Sequence, residues 1–379
     1  MKYSSVRLRH AVAIVVLTTS TALTFSGCSN TSGPTEPAIG ARAAAPAPCT
    51  RWCYYTVDAN TSSSQNNVTG INNSREIVGD YALSGTGAGT VWQPYTALDT
   101  GGAGEPYGSF NLINWPTGTK GTYMAGISTA TSSLPVVELG YVASSPDISG
   151  DLGPGSWAVV DNGGLWSAIK QVGDEASCST TPFAELLAFD GNQTSVGFRT
   201  NKSCVYIPYE VKNGDKTNSS RFSGFTWTAN TEATGIDSSD DIAGTTLGNS
   251  PGGTSAGWFF PNGTSSQPPL LRCCGTTAEN YATSFTGIAT VGATDVISIV
   301  GSYTTGGKTH GLIYNPAETG SAAWTTVDEP NAHNDAYTVI DGINANGDIC
   351  GFYKDSSGNI DGFVGFAVAT AGSHRRRHP

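Results

Sequence analysis

From residue 70 onward the chain repeats itself, and that repeat limits what it can fold into. Gly70-Ile71-Asn72-Asn73-Ser74-Arg75-Glu76-Ile77-Val78-Gly79 and Gly342-Ile343-Asn344-Ala345-Asn346-Gly347-Asp348-Ile349-Cys350-Gly351 share a pattern with their outer glycines nine positions apart. Gly235-Ile236 to Gly244 keeps the spacing, Ala188 to Gly197 is a degenerate copy, and Gly126 to Gly140 and Gly287 to Gly301 stretch it to fourteen. Starts at 70, 126, 188, 235, 287 and 342 give a period of about 54, so six units cover residues 50 to 373. A fixed period of this size marks an array of one supersecondary unit.

Each unit reads as four short strands. In the last they are 324–327, 337–343, 348–353 and 362–366; in the first, 54–57, 68–71, 76–81 and 90–92. Asn346-Gly347 between the second and third predicts a type I′ hairpin, with positive φ at both residues. Four antiparallel strands repeated every 40 to 55 residues predict an all-β β-propeller of six four-stranded blades, with seven blades or a β-solenoid as the alternatives. The glycines suit inner strands that crowd near a central channel. Tyr81, Tyr141, Phe198, Tyr303, Phe352 and Tyr353, just after the later glycines, are expected to pack between blades.

Composition agrees. The 379 residues include 48 Gly and 19 Pro, and only 13% are charged, which argues against a helical bundle. The net charge of -11 would repel phosphate backbones, so nucleic acid is not an expected partner.

Residues 1–27 read as a secretory signal: a basic start (Lys2, Arg7, Arg9), an apolar run too short to span a bilayer, then Ser26 and Gly27. Phe25-Ser26-Gly27-Cys28 resembles a bacterial lipobox, with Phe25 where Leu is usual, which implies that Cys28 is acylated; the competing reading is a plain signal-peptidase site. Acyl chains would make a membrane the first partner. Ser29, by the same resemblance, implies the outer membrane, at its periplasmic face or at the cell surface. Residues 28–48 form a tether of Ser, Ala, Thr and Pro that could reach roughly 60 Å, residues 49–370 the repeat domain, and residues 371–379 a basic tail. Cleavage would take the net charge to -14.

Seven other cysteines remain. Cys178 and Cys204 are the leading disulfide candidate, Cys49 and Cys53 could close a small loop, Cys273 and Cys274 need a vicinal bridge or separate partners, and Cys350 reads as a buried thiol. No C-x-x-C pair supports a zinc or redox site, and neither a metal nor a cofactor is expected.

Catalytic signals are sparse. Only His310 and His333 belong to the domain. Gly253-Thr254-Ser255-Ala256-Gly257 matches a nucleophile elbow but leads into strand-like residues where the elbow needs a helix. Asp355, Asn359 and Asp361 could hold Ca²⁺, though a polar hairpin is the expected reading. Asp240, Asp241, Asp328, Glu329 and Asp335 lie near repeat junctions.

The pattern Gly-Ile-Asn-x-x-Gly-x-Ile-x-Gly, followed by an x-Gly-aromatic strand, resembles the bacterial extracellular HAF-type repeats of predicted surface propellers. Their naming His is matched by His310, with Ala88, Pro154, Ser203, Ala256 and Asp361 at the other places. The resemblance implies export and a repeat fold but no reaction. The function expected is therefore a membrane-anchored binding or interaction module for glycan or protein. The alternative is a carbohydrate-active enzyme, a hydrolase or lyase, using paired carboxylates at the channel mouth.

Overall fold

A computed structural model describes residues 49, 51–84, 91–101, 106–113, 122–128, 137–142, 155–161, 166–169, 184–190, 194–201 and 203. It further describes 205–368 apart from 213–220, 223–224, 228, 249–253, 275–280, 293–294 and 334–336. The predicted signal, Cys28, the tether and the basic tail lie outside the described residues, as do Cys178, Cys204 and Asp335.

Strand β1 (Trp52–Val57) is set aside by the first sheet, which is β2 (Asn66–Ile71), β3 (Ile77–Ser84), β4 (Val91–Ala97) and β5 (Asn111–Leu112). The second is β6 (Thr122–Ile127), β7 (Val137–Val142), β8 (Gly155–Asp161) and β9 (Trp166–Ile169). The third has three strands, β10 (Ala184–Phe189), β11 (Thr194–Thr200) and β12 (Tyr206–Lys212). The fourth is β13 (Thr231–Ile236), β14 (Ile242–Thr246), β15 (Ala256–Phe260) and β16 (Leu270–Leu271). The fifth is β17 (Ala282–Val291), β18 (Val296–Thr305), β19 (Lys308–Tyr314) and β20 (Trp324–Val327). The last is β21 (Thr338–Ile343), β22 (Ile349–Lys354) and β23 (Ile360–Ala367), with β1 added to its outer edge. All pair antiparallel, and the first strand of each sheet lies against the first strand of the next, β21 returning to β2. This is a β-propeller.

The sheet boundaries differ from the predicted units by one strand. Residues 324–327 and 54–57, read as opening the last and first units, are outermost strands of the preceding sheets, β20 and β1. Six register pairs from Trp52↔Ala367 to Val57↔Gly362 thus join the chain's first strand to its last. The third sheet also departs from four strands among the described residues. Where its fourth strand would run, Phe222, Phe225 and Trp227 pack on Trp258 and Phe260 of the next sheet, and the Gln267 amide bonds both the N–H and the C=O of Thr226.

The two glycines of the repeat have separate tasks. The register shifts at one place in each innermost strand, giving a bulge at Thr69, Ala125, Leu187, Thr234, Thr286 and Asp341. The next residue faces the neighbouring blade. A Cβ on Gly70 would stand 3.1 Å from Gly126 Cα, one on Gly235 3.0 Å from Gly287 Cα, and one on Gly342 3.4 Å from Gly70 Cα. The second glycine lies within its own sheet: a Cβ on Gly244 would overlap the Trp258 ring, and one on Gly79 the Tyr95 ring. The third-strand residues in register with the second glycine are Tyr95, Trp157, Tyr209, Trp258, Leu312 and Phe363. This register also corrects the places matched to His310, which are Gln93, Gly155, Ile207, Ala256 and Asp361, rather than Ala88, Pro154 and Ser203.

The core lies between blades. One cluster joins Val68, Ile77 and Tyr95 of the first sheet to Cys350, Val364 and Phe366 of the last; another joins Val300 and Ile313 to Ile340, Ile349 and Phe363. Tyr81, Phe198, Tyr303, Phe352 and Tyr353 are buried, and the side chain of Tyr141 lies outside the described residues.

Gly235→Ala should lower stability by about 1–3 kcal/mol because the backbone of the neighbouring blade cannot yield. Gly126→Ala, whose Cβ would meet only Leu187 O at 3.7 Å, should change it by less than about 0.5 kcal/mol. Urea midpoints of the two proteins check the contrast.

Candidate functional site

The six innermost strands surround a central cavity of about 300 Å³. Its wall is Thr69 to Asn73, Ala125 to Ser128, Leu187 to Asp190, Thr234 to Ser238, Thr286 to Thr290 and Asp341 to Ala345, each strand contributing the same stretch of its repeat. Glycine, threonine, isoleucine and backbone dominate it. Phe189 is the one aromatic of this wall, and Asp190, Asp237 and Asp341 are its acids.

At one mouth the Asx residue of three repeats folds its own turn. Asn72 Oδ1 accepts from the N–H of Ser74 and Glu76, Asp237 Oδ1 from Ser239 and Asp241, and Asn344 Oδ1 from Asn346 and Asp348. The residue three places on is left-handed: Arg75 at φ 62°, Asp240 at 64° and Gly347 at 80°. Asn346 does not have positive φ, so the turn is not the predicted type I′. It is a type I turn closed by one left-handed residue, the longer hairpin solution. The Asx side chains also join blades. Asn344 Nδ2 donates to Asn72 O at 2.8 Å, Asn72 Nδ2 to Ser128 O at 3.2 Å, and Asp237 Oδ2 accepts from Thr290 Oγ1 at 2.7 Å.

Where the last sheet meets the first, Asp348 is fully buried and accepts from Arg75 Nε at 3.0 Å, Ala367 N at 2.9 Å and Asn344 Nδ2 at 3.1 Å. Arg75 lies 3.9 Å over the Phe366 ring, and Trp52 Nε1 donates to Gly347 O.

Beside this mouth, between the third and fourth sheets, lies a recess of about 380 Å³ that shares Asp190 and Ser238 with the cavity. Thr194, Lys212, Ser239, Asp240 and Asn262 complete it. Beneath it Glu210 is fully buried, 3.4 Å from Arg221 Nη1 and 3.7 Å from Lys212 Nζ. Burial raises the Glu210 carboxyl above its ordinary value, while Arg221 and Lys212 oppose that shift. Arg221 Nη1 also donates to Asp240 O at 2.8 Å.

The other sequence candidates are spread out. His310 Nδ1 lies 3.0 Å from Asp328 Oδ2 and its ring stacks on Tyr303. Glu329 is 1% exposed and accepts from both nitrogens of Asn331. Ser255 leads directly into β15 rather than a helix. Asp355 caps its own hairpin, Oδ1 accepting from Ser357 and Asn359. Among the described residues no cluster of three or more His, Cys, Asp or Glu is placed to hold a metal. Cys273 and Cys274 are bonded to each other, Cys49 and Cys53 are both in disulfide form, and Cys350 is a buried thiol. Sequence reasoning singled out Asp240 but missed Lys212 and Glu210 of the third sheet and Arg221 after it, which only the fold brings beside Asp240 of the fourth.

No protein-family model matches the chain, and no curated protein sequence does. Among solved structures, TolB from Acinetobacter baumannii is similar at 11% identity with a TM-score of 0.38, over 72% of this chain and 59% of that one. The chain therefore spans less than two thirds of the length of that TolB. Among the described residues no helix is long and apolar enough to cross a membrane.

Burial raises the carboxyls of Glu329, Glu210, Asp241 and Asp361 above their ordinary values. An acid whose pKa is higher folded than unfolded holds its proton better in the native state, so stability falls as pH rises through the interval between the two values. Thermal unfolding should therefore show a more stable protein near pH 5 than near pH 7.5. Glu329→Gln should flatten that slope above pH 4.5, the ordinary Glu value.

Proposed function

We propose that this chain is an exported lipoprotein whose six-bladed propeller serves as a rigid binding module for glycan or protein, held by Cys28 at the outer membrane. The observation that carries this reading is the mouth formed by the Asx turns. Its side chains are fixed by hydrogen bonds within and between blades, so the surface beside the cavity is preorganised, which lowers the ordering cost of binding. The cyclic order of the innermost strands supports six blades, the third carrying three strands among the described residues. The signal, the lipobox-like Cys28 and the Pro-rich tether support anchoring. A hydrolase or lyase gains less support from the cavity. Asp237 spends Oδ1 on two backbone N–H groups and Oδ2 on Thr290, a turn-holding role rather than that of a free acid or base.

Two measurements test the reading. Palmitate should label the wild-type protein and not Cys28→Ser, which should leave the membrane fraction; a Cys28→Ser protein that stays membrane-bound would end the anchor. The soluble propeller, residues 49–379, should retain members of a glycan array or a defined set of envelope proteins. Retention of neither would end the binding role.

A further inference from the structure

We propose that the recess between the third and fourth sheets is a saccharide subsite, in which Lys212 and Asp240 clamp adjacent hydroxyls of a neutral sugar. This rests on the binding-module reading and commits it to one ligand class. The seven residues that line the recess are Asp190, Thr194, Lys212, Ser238, Ser239, Asp240 and Asn262, all of them polar. Such a wall offers a hydrophobic ligand little apolar contact. Its volume of about 380 Å³, that of roughly a dozen waters, admits a sugar ring.

The charges narrow the choice further. Lys212 Nζ stands between two carboxylates, 3.7 Å from Glu210 Oε1 and 3.7 Å from Asp240 Oδ2. Asp190 is the second carboxylate lining the recess, so with the buried Glu210 beneath it three carboxylates stand against Lys212 and the deeper Arg221. An anion would meet more carboxylate than cation here, and a divalent cation would meet the ammonium of Lys212. A neutral polyhydroxyl ligand escapes both penalties. At 3.7 Å Lys212 and Asp240 are too far apart for a hydrogen bond to each other, so the ammonium keeps donors and the carboxylate lone pairs for a guest. One hydroxyl can accept from Nζ while its neighbour donates to Oδ2.

A second observation points to the same pair. Asp240 holds φ 64°, a left-handed conformation costly for a residue with a Cβ, at the turn position that Gly347 fills in the last sheet. The Asp240 backbone carbonyl is tied to Arg221, and its side chain is turned toward Lys212. Glycine would fold this turn with less strain, so the carboxylate is placed there at a conformational cost.

The test uses the soluble propeller, residues 49–379, with cellobiose, maltose, lactose and chitobiose as neutral probes and digalacturonate as the acidic one. Isothermal titration and saturation-transfer NMR should show at least one neutral disaccharide binding and digalacturonate binding more weakly. Asp240→Gly relieves the left-handed strain, so it should keep or raise the melting temperature while weakening the bound disaccharide at least tenfold; Lys212→Met should weaken it similarly. Neutral binding unchanged in both variants, preference for digalacturonate, or no binding of any neutral probe at 10 mM would each overturn the subsite. If the probes fail while a defined envelope protein is still retained, the binding module stands without the saccharide; if both fail, the module reading falls as well.

Discussion

The close approach of neighbouring innermost strands at glycine is the contact on which the rest of the propeller depends. Gly70 faces Gly126, Gly235 faces Gly287, Gly287 faces Gly342 and Gly342 faces Gly70, with Cβ-sized gaps of 3.0 to 3.4 Å at the tightest pairs. A bulge just before each of these residues turns the strand so that the glycine presents its backbone to the next blade. The bulged residue can then serve the joint. Thr234 Oγ1 donates to Phe285 O in the next blade at 2.7 Å, and Thr286 donates to Ile340 O in the same way. Backbone packed this closely leaves a narrow channel, whose wall is mainly glycine, threonine, isoleucine and main chain, with Phe189 as its one aromatic. The apolar side chains go outward instead, into clusters shared by adjacent blades.

Closing the circle imposes the second constraint. β1 and β23 are separated by nearly the whole domain, so their pairing carries a large loop-closure cost that must be met by contacts made only when both ends arrive. The structure concentrates such contacts there. Arg75, from the first sheet, gives its guanidinium to the buried Asp348 of the last and lies over Phe366, while Tyr107 OH donates to the Arg75 carbonyl. Asn73 accepts from Ala345 N through its side chain and from Asn346 Nδ2 through its carbonyl. A charge pair with its carboxylate buried fixes one arrangement of two sheets more than it adds raw stability, because desolvation offsets much of the Coulomb attraction.

The repeat, the all-β class and the glycine positions were legible because each answers to a local rule: crowded backbone demands glycine, and a tight turn demands an Asx residue. The sheet boundaries were not legible. An outermost strand such as β20, with Trp324 and Val327, carries the same apolar and β-branched signal whether it ends one blade or starts the next, and only the pairing Gly311↔Val327 decides. The turn type was misread for a related reason. Asn346-Gly347 satisfies a type I′ preference, but Arg75 and Asp240 in sister turns show that only the last residue is left-handed. The His310 alignment slipped where connections of unequal length separate the second and third strands. Recess residues escaped notice because Lys212 ends β12 and Asp240 sits in the turn after β13, with nothing in either local pattern to join them.

Comparison of the three sister turns shows where this scaffold leaves freedom to specialise. The Asx residue cannot vary much, since its oxygen folds the turn and, in Asn72 and Asn344, its nitrogen reaches the next blade. The left-handed position has no such duty, and glycine at 347 satisfies it with no side chain at all. Arg75 and Asp240 accept strain there, and in both cases the added side chain is engaged by charge: Arg75 with Asp348 at the closing joint, Asp240 with Lys212 at the recess. Strain at Arg75 is offset by ring closure, which is a matter of folding. At Asp240 the partner is half-exposed at 3.7 Å, a contact too long and too solvated to offset the backbone cost by itself. A costly residue whose folding return is small is where selection for binding, rather than for stability, is the simpler account.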